Sequence, residues 1–480
     1  MKKKIRNKKF KTLYLLWLLG LSGLSGLLNM AHAANISSSP ITLHVISQTI
    51  HIHQKSKQVY NILQTNGRWG YTGVEGKTFN VIVDNQTQVP TAIHWHGLLV
   101  PNRDDGVPGV TQNPILPGHS MQYTFPLVQS GTYWMHSHEG LQVQDLMAAP
   151  LIILNPHSRY PKDQQVVVLF EDFSFQSPEQ ILKNLQNSSA RMQMGMNQSM
   201  NMGTSKPDLK PDLNDVHYDA FLTNRHTLQN PQVISVKPNS WVRLRVIDGA
   251  SGSNFWIHLG QLKGEAIAFD GKNIQPLPAP QFQLAMGQRI DIRVHIPASG
   301  GAFPILGQVE GTDQQTGLIL VTPHAQIPLL SETASQTAPA LNNQQELLMK
   351  SLHPLPPRPI TQVVTLNLTG DMQKYIWKIN GQTWPDITPI KIREGARVEM
   401  IFNNLTSMAH PMHLHGQVFE LTAIDHQPIH DGPLHDTLLI LPHTQDTVTF
   451  DADHPGKWVL HCHMAYHQAS GMMTMIEVGS

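Results

Sequence analysis

The chain has 480 residues, and its 34 Lys and Arg balance its 34 Asp and Glu, so the formal net charge is zero. This balance offers no electrostatic footprint for nucleic acid or for an anionic membrane surface, and we expect neither as a partner. Cys462 is the only cysteine, which excludes an intramolecular disulfide.

The N-terminus has the pattern of an export signal. A basic run from Lys2 to Lys11 precedes an apolar stretch from Leu13 to Leu28, and Ala31-His32-Ala33 follows. This order predicts a secretory signal peptide over residues 1–33. No other segment approaches the roughly 18 apolar residues of a membrane-spanning helix. We therefore expect an exported, monomeric protein without membrane insertion, located in the periplasm or, as the alternative, secreted.

The remainder of the chain has an all-β pattern. Short runs of alternating apolar residues, such as those at 242–246 and 290–296, end at turn residues, and no long amphipathic helix competes. At about 150 residues per domain, there is room for three domains. We predict β-sandwich or barrel domains at 34–157, 158–325 and 358–480, with a Ser, Thr, Ala, Gln and Pro-rich linker at 326–357.

An internal repeat links the first and third domains. His94-Trp95-His96-Gly97 is followed by His136-Ser137-His138, and His413-Leu414-His415-Gly416 is followed by His461-Cys462-His463. The order and the Gly-to-His spacing match, whereas the middle domain has no His-x-His pair. We therefore predict a site where the first and third domains meet.

These four pairs predict a copper cluster. Alternate side chains of a strand share one face, so each pair projects two imidazoles in one direction. Imidazole suits copper, and eight histidines can hold one copper with two ligands and two coppers with three each. A purely structural role would require a buried hydrogen-bond partner for every ring.

Cys462 points away from its two histidine neighbours and predicts a different copper site. A blue copper site uses two histidines, a thiolate and a weak axial methionine. The residues that fit are His410, Cys462, His467 and Met472.

The first domain lacks the same ligands. In the repeat, the counterparts of His410, Cys462 and His467 are Thr91, Ser137 and Gln142. Only the third domain is therefore expected to hold the thiolate copper.

The four histidine motifs, with His410 before the third and His467 to Gly471-Met472-Met473 after the fourth, resemble the copper signatures of multicopper oxidases. The resemblance covers essentially the whole chain beyond the signal. It implies three cupredoxin-like Greek-key β-sandwich domains, four coppers, and four one-electron oxidations per dioxygen reduced to water. Electrons would pass from Cys462 to its neighbours His461 and His463. The implied ligands are His94 and His413 for type 2 copper, His96, His136 and His463 for one type 3 copper, and His138, His415 and His461 for the other.

Proton supply is less well defined by the sequence. Asp105 matches the family's acidic residue near the type 2 copper, although an aspartate before Gly106 also fits an ordinary turn. Bacterial relatives often carry a glutamate where this chain has Gln468, and an amide cannot donate that proton. The sequence names no replacement donor.

The reductant is predicted from methionines, because soft thioethers select Cu(I). Residues 191–203 resemble the methionine-rich inserts of periplasmic copper-tolerance oxidases, and Met408 matches a methionine near their substrate copper. The Cu(I)-capture residues that we predict are Met192, Met194, Met196, Met200, Met202 and Met408. A flexible insertion with incidental methionines is the alternative for the segment. Alternative functions are laccase-like oxidation of phenols or aromatic amines, oxidation of ferrous ion, and copper sequestration. The remaining third-domain histidines, including His435, are expected at the surface.

Overall fold

The computed structural model describes residues 39–195, 213 and 215–479, which contain 31 strands and three α-helices. The predicted signal peptide and residues 196–203 of the methionine-rich segment lie outside the described residues. From Ser39 onward the chain is one unit.

Residues 41–154 build two sheets. Their strands are β1 (Ile41–Ile52), β2 (Lys55–Gln64), β3 (Tyr71–Val74), β4 (Thr78–Asn85), β5 (Ile93–His96), β6 (Ser120–Pro126), β7 (Gly131–Ser137) and β8 (Ala148–Leu154). One sheet has the order β2-β1-β4-β6 and the other β3-β8-β7-β5. Val81 of the first sheet and Leu151 of the second are fully buried in a shared core.

Residues 164–321 build the next two sheets. Their strands are β9 (Gln164–Phe173), β10 (Ala220–Thr223), β11 (Val233–Ser235), β12 (Trp241–Asp248), β13 (Phe255–His258), β14 (Gly264–Phe269), β15 (Lys272–Ala279), β16 (Gln281–Leu284), β17 (Arg289–His295), β18 (Ala302–Val309) and β19 (Gln315–Val321). The orders are β10-β9-β12-β17-β14-β15 and β11-β19-β18-β13-β16.

Residues 362–479 build the last two sheets. Their strands are β20 (Gln362–Asp371), β21 (Ile376–Ile379), β22 (Ile390–Arg393), β23 (Arg397–Asn404), β24 (His410–Leu414), β25 (Phe419–Ile424), β26 (Gln427–Pro428), β27 (Leu434–His435), β28 (Thr437–Ile440), β29 (Gln445–Asp451), β30 (Gly456–Cys462) and β31 (Met473–Gly479). The orders are β21-β20-β23-β29-β25-β26, with β27 on β25, and β22-β31-β30-β24-β28.

The alternating runs form strands as predicted. In β12 and β17 the apolar side chains face the core, with Val242 opposite Val294 and Val246 opposite Ile290. The intervening positions carry arginines and Asp291, so the period-two pattern separates an apolar face from a charged one. The all-β prediction is confirmed. The six sheets fall into three successive pairs, while the domain boundaries themselves stay a prediction.

The helices are α1 (Pro178–Gly195), α2 (Gln344–Leu348) and α3 (Ala465–Ala469). The expectation that no long helix is present was wrong for α1. Its sequence signal was Ser177 before Pro178, because the Ser177 hydroxyl accepts the Gln180 amide at 3.2 Å and proline favours the first helical position. Among the described residues, none of the helices combines the length and apolarity that crossing a membrane requires.

The segment predicted as a linker packs against the middle sheets. The Trp256 indole donates to the Pro339 carbonyl at 2.9 Å, and the Leu341 amide donates to Glu310 at 2.6 Å. Met349 is fully buried. Residues 339–349 of the predicted linker are therefore held against the middle sheets.

We predict that Gly416→Ala destabilises the protein by roughly 2–5 kcal/mol, combining left-handed backbone strain with overpacking. Gly416 has φ +63°, and a Cβ there would lie 2.3 Å from the Trp458 ring. Gly76 also has positive φ, but a Cβ there would meet nothing within 4 Å. Chemical denaturation should show a loss of only about 1 kcal/mol for the control Gly76→Ala. Equal losses in the two variants would contradict the steric argument.

Candidate metal centre

The first two histidine pairs lie on neighbouring strands. β5 carries His94 and His96, and β7 carries His136, with His138 one residue beyond its end. In the antiparallel register His94 is opposite His136. The strand pair therefore directs these imidazoles to one edge of its sheet.

The last two pairs repeat this arrangement. In the β24–β30 register His413 is opposite His461, and His415 follows the end of β24. The two halves meet through ring stacking, with His94 on His415 at a centroid distance of 3.8 Å and His96 on His413 at 3.7 Å. The structure thus brings together the histidines that are separated by more than 300 residues in sequence.

The eight histidines form three groups, two of which share His96, and within each group the candidate ligand atoms lie within 4.8 Å of one another. The groups are His96, His136 and His463; His138, His415 and His461; and His94, His96 and His413. The first two match the trios expected for type 3 copper. The third contains both residues expected on type 2 copper.

The free ring nitrogens fit metal ligation. His94 Nδ1 donates to the Asp105 carbonyl and His413 Nδ1 to the Asp436 carbonyl, each at 2.8 Å. These bonds hold the proton on Nδ1 and leave Nε2 as an acceptor. Both Nε2 atoms, and both ring nitrogens of His463, are buried without a hydrogen-bond partner among the described residues. An all-imidazole donor set of this kind suits copper.

His96 is oriented differently from the other rings. Its Nε2 lies 3.2 Å from Asp436 Oδ1 and 3.1 Å from Thr437 Oγ1. Its Nδ1 instead faces His136 Nε2 at 3.4 Å. His96 therefore presents Nδ1 to the cluster, with Nε2 as the donor to the carboxylate.

Burial keeps seven of the cluster rings, and His410 beside the thiol, neutral. Desolvation is the largest cause that lowers the pKa of each, and neighbouring rings lower it further. For His461 the pKa falls to about 4. The rings with a lowered pKa are His96, His136, His138, His410, His413, His415, His461 and His463. Unprotonated imidazole is the form that binds a metal ion.

Cys462 lies in a second group. Its Sγ is 3.7 Å from Nδ1 of both His410 and His467, and these nitrogens are 3.2 Å apart. Met472 is fully buried, and its carbonyl accepts the Cys462 amide at 3.0 Å. Burial raises the pKa of the thiol, so ionising it requires a bonded cation. The two histidines, the thiol and the methionine are the donor set predicted for blue copper.

The first pair of sheets has side chains in an arrangement that matches this second group. The Gln142 amide oxygen accepts the hydroxyls of Ser137 at 2.7 Å and Thr91 at 2.9 Å. The Ser137 amide donates to the Met147 carbonyl at 2.9 Å, as Cys462 does to Met472. Met147 is thus a fourth counterpart, which the sequence analysis missed although both methionines follow by ten residues. Hydrogen bonds among polar side chains replace metal ligands here.

The middle sheets support the cluster through a buried ion pair that the sequence analysis missed. Arg289 of β17 is fully buried and donates from Nη1 to Asp436 Oδ1 at 2.7 Å. Its Nε donates to the Thr132 carbonyl at 3.1 Å. Because Asp436 contacts both His96 and His413, Arg289 ties the middle sheets to the ligands contributed by the other two pairs. No histidine motif in the sequence indicated a role for Arg289.

His435 is another difference from the sequence analysis. It was expected at the surface, but it is fully buried, and its Nδ1 lies 3.2 Å from Asp270 Oδ2. The Asp270 carboxylate is buried as well. The carboxylate allows the imidazole to be buried, and its location on a distant strand was invisible in sequence.

Besides Asp436, two further acids contact the candidate ligands. Asp105 is buried, and its Oδ2 accepts His415 Nδ1 at 2.9 Å, so the residue predicted near type 2 copper lies within the cluster. Asp215 accepts His467 Nε2 at 3.1 Å and the Tyr375 hydroxyl at 2.5 Å. The sequence analysis missed Asp215 because no motif surrounds it.

The approach to the cluster is a cavity of about 430 Å³ that reaches His138. Glu139, Gln468 and Met473 also line it. Desolvation raises the pKa of Glu139. Gln468 thus lines the same cavity as Glu139.

Only some of the methionines predicted to capture Cu(I) lie in the part of the chain that the structure describes. Met408 is buried, so its thioether is not presented to solvent. Met192 and Met194 fall in the last turn of α1, and Met196, Met200 and Met202 lie outside the described residues.

Comparisons with known sequences cover nearly the whole chain. Family models described as multicopper oxidase match residues 49–158, 164–323 and 357–480. Multicopper oxidase MmcO of Mycobacterium tuberculosis is 30% identical over 84% of this chain and 79% of its own length. Copper resistance protein A of Escherichia coli is 26% identical over 84% of this chain and 86% of its own length.

Solved structures share the fold. Fet3p, a multicopper oxidase that functions in iron import, has a TM-score of 0.77 at 19% identity, covering 91% of this chain and 90% of its own. A laccase from Botrytis aclada has a TM-score of 0.74 at 22% identity, covering 91% and 87%. The architecture is thus that of cupredoxin-type multicopper oxidases.

We predict that metal-free protein loses stability steeply as the pH falls from 7 towards 4. The unfolded chain takes up protons near the ordinary histidine pKa of 6.5, whereas the buried rings do so only well below it. The free energy of unfolding therefore falls with pH, by up to about 1.4 kcal/mol per pH unit for each ring.

Chemical denaturation of chelator-treated protein at several pH values measures this dependence. His461→Gln should reduce the slope by about one proton. The control His51→Gln, at an exposed position, should leave it unchanged. Stability that is independent of pH between 7 and 5 would contradict the prediction.

Proposed function

Because the chain belongs to the multicopper oxidase family, we propose that it couples one-electron oxidation of a metal ion, Cu(I) first among candidates, to the reduction of dioxygen to water. The chain is an oxidoreductase that uses dioxygen and copper. The proposal rests chiefly on one observation: a buried thiol–histidine group is joined by consecutive residues to a buried cluster of eight histidines.

We propose four copper ions in two places. One would be held by His410, Cys462, His467 and Met472, and three by the eight histidines of the four pairs. Support comes from the buried, unpartnered ring nitrogens. It also comes from the His and Cys groups, within each of which the candidate ligand atoms lie within 4.8 Å of one another. Bound copper would supply the one-electron redox chemistry and the binding of dioxygen.

The chain itself would supply the electron path between the two sites and the hydrogen bonds that orient the histidine ligands. The backbone of Cys462 joins directly to His461 and His463, so the two proposed sites are connected by covalent bonds alone. His461 Nδ1 also donates to the Cys462 carbonyl at 2.9 Å. Asp105 Oδ2 would hold the Nδ1 proton of His415, which keeps its Nε2 available. The cavity at His138 offers dioxygen and water an entry to an otherwise buried cluster.

A metal-ion reductant is favoured by Asp215. Its carboxylate accepts from His467 Nε2, and Asp215 lines a cavity of about 270 Å³, so a cation in that cavity would lie near a residue that contacts the thiol–histidine group. A carboxylate attracts a cation, whereas a neutral phenol gains little from it. The methionine-rich segment ends twelve residues before Asp215 in sequence, and copper resistance protein A is among the relatives.

Export to the periplasm and a monomeric state are part of the proposal. The signal pattern at residues 1–33 supports export. The only cysteine is buried, so it forms no disulfide with a second copy in an oxidising compartment.

We expect Cys462→Ser to lower the bound copper from about four to about three per chain and to abolish the intense blue thiolate band, because serine is a poor copper ligand. Elemental analysis and visible absorption measure the two effects. Ser137→Ala, at the matching position of the first half, should keep both. A blue Cys462→Ser variant would refute the assignment.

Deleting residues 191–203 should raise the KM for Cu(I) without changing the turnover of a bulky phenol, because only Cu(I) uses thioethers. Unchanged Cu(I) kinetics would rule out copper capture by this segment.

Asp215→Asn should lower kcat/KM for Cu(I) by about tenfold, equivalent to about 1.4 kcal/mol, and affect the phenol less. Asp313→Asn, at a nearby exposed carboxylate, is the control. A larger loss with the phenol would favour the laccase-like alternative. If copper-loaded protein consumed no oxygen with any of the reductants supplied, the result would instead indicate copper sequestration.

A further inference from the structure

A second cavity, of about 170 Å³, lies away from the histidine cluster between the first and middle pairs of sheets. It is bordered by Ser130 before β7, by Arg243 and Arg245 of β12, and by Asn273 of β15. Arg159, in the loop before β9, is at its rim. None of the described residues that line it is an aspartate or a glutamate.

The charges beneath this cavity do not balance. Arg243 and Arg245 point to the same face of β12, and both bond a single carboxylate, Asp291, on the neighbouring β17. The second oxygen of Asp291 is already occupied by the Thr132 hydroxyl at 2.5 Å. Two guanidinium groups that share one carboxylate leave one positive charge uncompensated.

These arginines are buried enough for that charge to matter. Arg243 is 8% exposed and Arg245 is 3% exposed. Arg243 Nη1 and Arg245 Nη2 make no hydrogen bond within the part of the chain that the structure describes, although the other nitrogens of both side chains do. Neither nitrogen is fully enclosed by protein, so both can donate into the cavity, and the planar arginine fork matches the oxygens of an oxyanion.

Neutral donors complete the lining. The Asn155 side-chain oxygen accepts the His157 amide at 2.7 Å, which leaves the Asn155 NH₂ group free to donate. Ser130 and Asn273 also line the cavity. The cavity volume is below the roughly 300 Å³ at which pockets for drug-sized ligands begin, which suits a small oxyanion.

We propose that this cavity is a binding site for a small tetrahedral oxyanion, of the phosphate or sulfate class, held by Arg243 and Arg245. The site is independent of the copper centre. Because its lining comes from both the first and the middle sheets, the bound anion stabilises the junction between them.

The test is titration of the copper-loaded protein with phosphate, sulfate, acetate and chloride at equal ionic strength, followed by calorimetry and thermal unfolding. We expect one saturable site per chain for phosphate and sulfate, with a higher midpoint of unfolding and an unchanged blue band. Acetate and chloride should bind at least tenfold more weakly. Equal effects of all four anions would overturn the proposal.

Two variants locate the site without removing the buried arginines. Asn273→Asp, at an exposed position, places a carboxylate in the lining and should abolish the phosphate and sulfate effect. Arg159→Ala should weaken binding severalfold, whereas Lys162→Ala, which removes an exposed charge outside the cavity, should not. Binding by Asn273→Asp at wild-type strength would place the anion elsewhere and refute the site.

Discussion

Burying many imidazoles against one another is the constraint on which this structure depends. Rings such as His413 and His463 stay in the cluster in their neutral form, because a proton on either would face both desolvation and the neighbouring rings. A neutral ring that donates from one nitrogen keeps the other free to bind a metal ion. Carbonyls of Asp105 and Asp436 accept from His94 and His413, whose Nε2 atoms have no hydrogen-bond partner among the described residues. The stability of the fold and the capacity to bind copper therefore have the same origin.

That constraint explains why the middle pair of sheets is required although it contributes no candidate copper ligand. The carboxylate of Asp436 orients His96 and would be a costly buried charge by itself. Arg289 neutralises it from the middle sheets and also bonds the backbone of β7. The charged face of β17 thus links the strands that carry both halves of the cluster. Two residues further along the same strand, Asp291 organises the arginines of the second cavity.

The comparison of the two halves shows how one scaffold serves two purposes. Ser137 and Cys462 occupy the same register position, each bonded through its amide to a methionine carbonyl ten residues later. In the first half, hydroxyls and an amide satisfy one another, and that position is closed by hydrogen bonds. In the last pair of sheets, two imidazoles and a thiol cannot satisfy one another in this way. The difference between an inert core and a metal site is three side chains.

Local patterns in the sequence predicted much of the fold and of the candidate site. Period-two alternation specified the strands, and the repeated His-x-His pairs specified the cluster, because a strand's geometry relates neighbouring residues directly. The same local reasoning overlooked α1, whose apolar positions are few and whose signal is only a cap. Contacts between distant strands could not be predicted. Arg289 and Asp436 are 147 residues apart, Asp215 meets His467 across 252, and His435 is buried because Asp270 lies beside it. Sequence spacing determines which side chains share a face, whereas the packing of sheets determines which faces meet, and that depends on the whole chain at once.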